Sequence, residues 1–117
     1  TDRELALEQR LRAAGHEPPS LAELGPDADH IPALLAHGRA VRVGRSMYAH
    51  PDAITQVRTV VTSIIAAEGS ITLTRLRDEL STSRKYAQAL LEHLDATRIT
   101  RREADDSRTL RPSAATR

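Results

Sequence analysis

The sequence predicts a mainly α-helical chain with small β wings (α+β), built as two tandem units of one plan. Three observations carry this. Apolar residues recur at helical spacing in segments punctuated by Gly, Pro and Ser. The period then changes to alternation in two places, near residues 41–49 and 99–111. Helices followed by a hairpin therefore occur twice along the chain.

Leu7, Leu11 and Ala14 define the first helix, which Gly15 and Pro18-Pro19 stop. Ser20 with Glu23 three residues on has the spacing of a capping box, and it opens a short helix through Leu21 and Leu24 that ends at Gly25. A third helix is expected from Asp29 to His37, with Ile31, Leu34 and Leu35 as its apolar face, Pro32 in its first turn and Gly38 as its stop. Val41 and Val43, the turn Gly44-Arg45 and the returning Met47-Tyr48-Ala49 make a hairpin. The second unit starts at Pro51 or Asp52. Ile54, Val57, Val60, Val61, Ile64 and Ile65 share one face of a long helix that ends near Glu68-Gly69. Ser70-Ile71-Thr72 is long enough only for a bridging strand, and Thr72 or Thr74 opens a helix carrying Leu73, Leu76 and Leu80. Ser81-Thr82-Ser83 breaks it. The next helix buries Ala87, Leu90, Leu91 and Leu94. Strands at Ile99–Arg102 and Thr109–Arg111, joined by the acidic turn 104–107, close the unit. A helix-turn-helix with an appended β wing is a winged helix, so two tandem winged-helix domains are expected, at 1–51 and 52–117. So short a connection would restrict their relative motion, and 112–117 reads as a frayed tail.

Composition narrows the possible functions. At 117 residues the chain holds one ordinary domain or two small ones. It has no apolar run of spanning length and no basic-then-apolar leader, so a cytoplasmic protein without membrane contact is expected. The absence of an initiating Met suggests a fragment. Cysteine is absent, which leaves no disulfides or thiolate nucleophile. Phe and Trp are also absent, so packing falls to Leu, Ile, Val and Ala. The net charge of +1 divides unevenly, at −2 for residues 1–53 and +3 for 54–117.

Catalysis has little support, because no P-loop, H-E-x-x-H or G-x-S-x-G motif is present. The five His are dispersed; His50 reads as a boundary hydrogen-bonder and His93 as a near-surface helix residue, so neither a metal nor a cofactor is expected. Charge and polarity gather at Ser83, Arg84, Lys85 and Tyr86, which open the last helix. Such a helix start carries free backbone N–H groups and the positive dipole end, which attract phosphate. Ser83 can cap the helix or donate to phosphate, and Tyr86 can pack inward or meet a base; the plain alternative is a capped helix with solvated cations. Arg101 and Arg102 alternate along the first wing strand, and Arg108 and Arg111 on its partner can complete one basic face. Asp105 and Asp106 oppose phosphate at the tip, so contact should favour the wing's flank.

At these same residues a family resemblance emerges. L-R-D-E-L-S-T-S-R-K-Y-A-Q-A-L-L-E-H-L-D at 76–95, with I-T-R-R and R-T-L-R after it, resembles the C-terminal winged-helix region of the bacterial selenocysteine-specific translation elongation factor. A-V-R-V at 40–43 and M-Y-A-H-P at 47–51 are similar to its penultimate winged helix. The resemblance implies a non-catalytic RNA-binding fragment, a monomer that holds a messenger RNA stem-loop, the selenocysteine insertion element. The parent factor would be a GTPase that meets the ribosome and selenocysteinyl-tRNA through its whole length. Ser83, Arg84, Lys85 and Tyr86 match the recognition-helix motif, and Arg101, Arg102 and Arg108 the basic wing positions. The sequence departs from the family at Ala96-Thr97-Arg98, which lacks a glycine, and at the wing turn Asp-Asp-Ser. A-form RNA has a major groove too narrow for a helix, so helix end and wing would grip backbone and extruded loop bases. The acidic first unit would serve as a spacer. A DNA-binding transcriptional regulator of the same fold is the alternative, although no dimerisation element is evident.

Overall fold

The structure, a computed structural model, describes residues 1–112, and the rest of the expected tail lies outside the described residues. The chain is mainly helical with two small antiparallel sheets and divides into two compact units, Thr1–Thr55 and Gln56–Arg117. Among the described residues no helix is long and apolar enough to cross a membrane.

In the first unit, α1 (Asp2–Ala14) turns Leu7 and Leu11 inward. The capping box forms as the spacing requires: Ser20 accepts from the Glu23 N–H, and the Glu23 carboxylate accepts from the Ser20 N–H, opening α2 (Leu21–Leu24). Gly25 ends α2 as expected, at a φ of +60°. A 3₁₀ turn spans Gly25–His30 before α3 (Ile31–Ala36) begins, so the third helix is shorter than expected from Asp29. Six residues make under two turns, which is too short to bury a full stripe. Leu35 is accordingly exposed while Ile31 and Leu34 enter the core with Leu24, Ala40 and Tyr48. The hairpin of β1 (Val41–Val43) and β2 (Met47–Ala49) pairs Arg42 with Tyr48, and a bridge from Ser20 to Met47 ties it to the start of α2. His50 is buried; its ring lies 3.1 Å from a Glu8 carboxylate oxygen, and its Nδ1 accepts from the Asp52 N–H.

The long helix is α4 (Pro51–Glu68), and it buries Ala53, Val57, Val61, Ile64 and Ile65. In the second unit, Thr72 caps α5 (Leu73–Leu80) by accepting from the Arg75 N–H at 3.0 Å. Ser81 leaves it in the left-handed conformation, and α6 (Arg84–Ala96) packs on α5 and buries Ala87, Leu90, Leu91 and Leu94. The wing pairs β3 (Thr100–Arg102) with β4 (Arg108–Leu110), Arg102 facing Arg108. Ile71 exchanges both backbone bonds with Arg108, as its bridging role requires, and so fastens the wing to the segment before α5. Replacement of Thr72 by Ala removes a helix cap, and a loss of about 1 kcal/mol is expected. In a domain of this size a thermal melt should register it as a fall of roughly 4–8 °C.

Candidate nucleic-acid interface

The start of α6 is built to be polar and open. Ser83, its N-cap residue, has extended backbone angles but makes no side-chain capping bond, and no acid sits in the first turn. Ser83, Arg84 and Lys85 are exposed. The positive end of the helix dipole is therefore left without an internal anion. Lys85 Nζ lies 5.2 Å from the centre of the Tyr86 ring, within cation–π range, and Tyr86 is half-buried. The two alternatives for Tyr86 thus merge: its ring stands between the helix and solvent and carries a cation on one face.

The pairing of the basic residues separates this helix end from its surroundings. On α5, Arg75 bonds Glu68 and Glu79, and Arg77 bonds Asp78. On the wing, Arg101 Nε donates to Glu103 at 3.0 Å and Arg102 bonds Asp106 at 2.9 Å. Among the described residues no carboxylate lies within ion-pair distance of Arg84 or Lys85. Their charge is available to a ligand.

Arg108 is placed otherwise than the sequence predicts. Strand β4 starts at Arg108, one residue before the expected Thr109, and in extended chain Arg108 and Arg111, three residues apart, turn to opposite faces. Arg108 is 3% exposed, and its guanidinium donates to Asp95 Oδ2 at 3.2 and 3.0 Å and to the Asp106 carbonyl at 2.8 Å. Asp95 also accepts from the buried Thr100 hydroxyl at 2.6 Å. Arg111 follows the strand half-buried, with a buried Nε that has no partner among the described residues. These two arginines do not form the expected continuous basic face. Arg101 and Arg102 are both exposed.

A cleft of about 210 Å³ brings the predicted helix and wing together. Arg84 lines it from α6, and Arg102, Asp105, Asp106 and Arg108 line it from the wing. Sequence reasoning missed its other walls: Thr72 and Thr74 at the start of α5, and Gln88 and Glu92 on α6. A signal for two of them was present, since Gln88 and Glu92 follow Arg84 at intervals of four and so share its face. The Thr109 hydroxyl and then Arg101 hold Glu103 below the usual carboxylate range, and the Ser107 hydroxyl and N–H do the same for Asp105. On α6, burial lowers the His93 pKa, which favours a neutral imidazole. Among the described residues no three His, Asp or Glu side chains gather as metal ligands.

Helix, turn, helix and basic-edged wing define the second unit as a winged helix, a fold that presents one helix end and one hairpin to a ligand. Residues 63–109 match the family model described as elongation factor SelB, winged helix, so the second unit resembles the winged-helix region of that selenocysteine-specific factor, as its sequence implies. A solved structure of the mRNA-binding domain of SelB from E. coli, in complex with SECIS RNA, superposes with a TM-score of 0.77 at 22% identity, over 95% of this chain and 98% of that one. The bacterial selenocysteine-specific elongation factor EF-Sec superposes with a TM-score of 0.79 at 18% identity. That match covers 95% of this chain but only 18% of EF-Sec. No curated protein matches the sequence.

Proposed function

We propose that the chain is the mRNA-binding part of a selenocysteine-specific elongation factor, made of two tandem winged helices at 1–51 and 52–117, and that the second grips a messenger RNA stem-loop of the SECIS type. The observation that carries this is the start of α6, where Arg84 and Lys85 stand exposed without a carboxylate partner among the described residues and the N-cap Ser83 makes no side-chain capping bond. The likeness to a domain solved with SECIS RNA supports the ligand. Ser83 and the α6 backbone would take phosphate oxygens, Arg84 and Lys85 add charge-assisted bonds, and Tyr86 offers its ring to a base or sugar. Arg102, which lines the cleft with Arg84, meets the backbone along the wing's flank, and Arg101, on the other face of β3, adds charge. Arg108 acts from inside, holding the turn that joins the two wing strands, and Arg111 adds its charge just after the second of them.

The part played is binding without catalysis, in the cytoplasm, and as a monomer. It requires no cofactor. The whole factor would hydrolyse GTP and meet the ribosome and selenocysteinyl-tRNA, while this part tethers it to the message. The test is a titration of the chain with a stem-loop RNA and with duplex DNA of equal length. Tighter binding of the stem-loop is expected; preference for the duplex would return the protein to the transcriptional regulators that share the fold.

A further inference from the structure

The exposed arginines of the wing come with carboxylates of their own. Arg102 donates through Nε to Asp106 Oδ1 at 3.0 Å, and a terminal nitrogen lies 2.9 Å from the same oxygen. Both side chains are open to water, 53% and 71% exposed, so a phosphate can reach the pair. The carboxylate is nonetheless held in place by its backbone. The Asp106 N–H donates to the Glu103 carbonyl at 3.0 Å, and its carbonyl accepts from the buried Arg108, which is anchored in turn on Asp95. Asp106 has a φ of +70°, a left-handed conformation that Asp and Asn tolerate better than most residues. Arg84, which lines the same cleft from α6, has no such partner among the described residues.

We propose that Asp106 is a specificity-determining residue for RNA binding by the second unit: it occupies Arg102 in the free protein, so that an RNA phosphate gains the charge of the wing only by displacing a carboxylate already there. The inference rests on the stem-loop reading above. A ligand that touches the wing alone exchanges one ion pair for another and gains little. A ligand also held at Arg84 and Lys85 presents its next phosphate at high local concentration and displaces Asp106. The internal competitor therefore penalises RNA that cannot engage both places, which is discrimination by a built-in repulsive element.

The test compares the unsubstituted chain with Asp106→Asn, Arg102→Gln and the double variant, on a stem-loop RNA and on a duplex RNA of equal length. Asn keeps the left-handed turn and removes the charge, so folding is preserved. From the strength of exposed ion pairs, Asp106→Asn should bind the stem-loop about two- to fivefold more tightly. The gain on duplex RNA should be larger, narrowing the preference for the stem-loop, and the salt dependence should steepen by about one unit of slope. In the Arg102→Gln background most of the gain should vanish. No tightening, a gain confined to the stem-loop, or an equal gain without Arg102 would overturn the inference. If the unsubstituted chain fails to bind the stem-loop, the functional reading falls and this inference with it; stem-loop binding indifferent to Asp106→Asn defeats the inference alone.

Discussion

Asp95→Ala is expected to destabilise the second unit by about 3 kcal/mol, the order found when one partner of a buried ion pair is removed. Arg108 is 3% exposed and places two of its nitrogens on Asp95 Oδ2, so truncation strands a guanidinium in the interior. It also leaves the buried Thr100 hydroxyl without its acceptor 2.6 Å away. The Asp106 carbonyl remains as one partner for Arg108, which keeps the effect near the low end of that range. Asp95→Asn should cost less, because an amide oxygen can still accept one of these bonds. Hydrogen exchange is the suitable readout, since it reports amides of α6, β3 and β4 separately from those of the first unit. Protection in those elements should fall together. Unchanged protection would mean that the pair does not hold the wing.

The second large effect is on binding. Arg84→Ala with Lys85→Ala should weaken stem-loop binding by about 2–4 kcal/mol, from roughly 1–3 kcal/mol for each lost charged hydrogen bond with incomplete additivity. That corresponds to a dissociation constant raised about 30- to 1,000-fold. Stability should hardly change, because both side chains are exposed and neither has a carboxylate partner among the described residues. Fluorescence anisotropy with a labelled stem-loop, run beside a thermal melt, separates the two consequences. A double variant that binds like the unsubstituted chain would remove α6 from the interface.

These two predictions draw on features that were unequally legible in the sequence. The start of α6 was readable because its signals are local: Ser-Thr-Ser breaks one helix, Arg84 and Lys85 follow at once, and the Leu pair fixes which face turns inward. The capping box at Ser20 and Glu23 and the bridging strand at Ile71 were legible for the same reason. The role of Arg108 was not. Its burial depends on Asp95, thirteen residues earlier, and no periodicity reports a long-range ion pair. Exposed arginine is so much the commoner case that Arg108 read as surface charge. Gly25 was legible as the stop of α2, but the 3₁₀ turn that follows at Gly25–His30 was not, and with it went the expected burial of Leu35. The walls of the cleft were half-legible. Gln88 and Glu92 follow from helical spacing on the Arg84 face, whereas Thr72 and Thr74 join them only through the packing of α5 on α6.

The arrangement implies a division of labour within one small interface. Helix α6 offers free charge, and the wing offers charge already matched by its own acids. A basic protein surface of the usual kind would bind any polyanion in proportion to its charge. At the start of α6 two adjacent cations stand without a carboxylate partner among the described residues, which suits a ligand that brings phosphates and unstacked bases to a single place, as an RNA loop does.

The most direct measurement is the salt dependence of stem-loop binding by the unsubstituted chain and by the Arg84→Ala, Lys85→Ala double variant. Each phosphate contact contributes about 0.7–0.9 to the slope of log K against log salt. The account predicts a salt-sensitive complex whose slope falls by about 1.5 in the double variant. Equal slopes for the two proteins would contradict it.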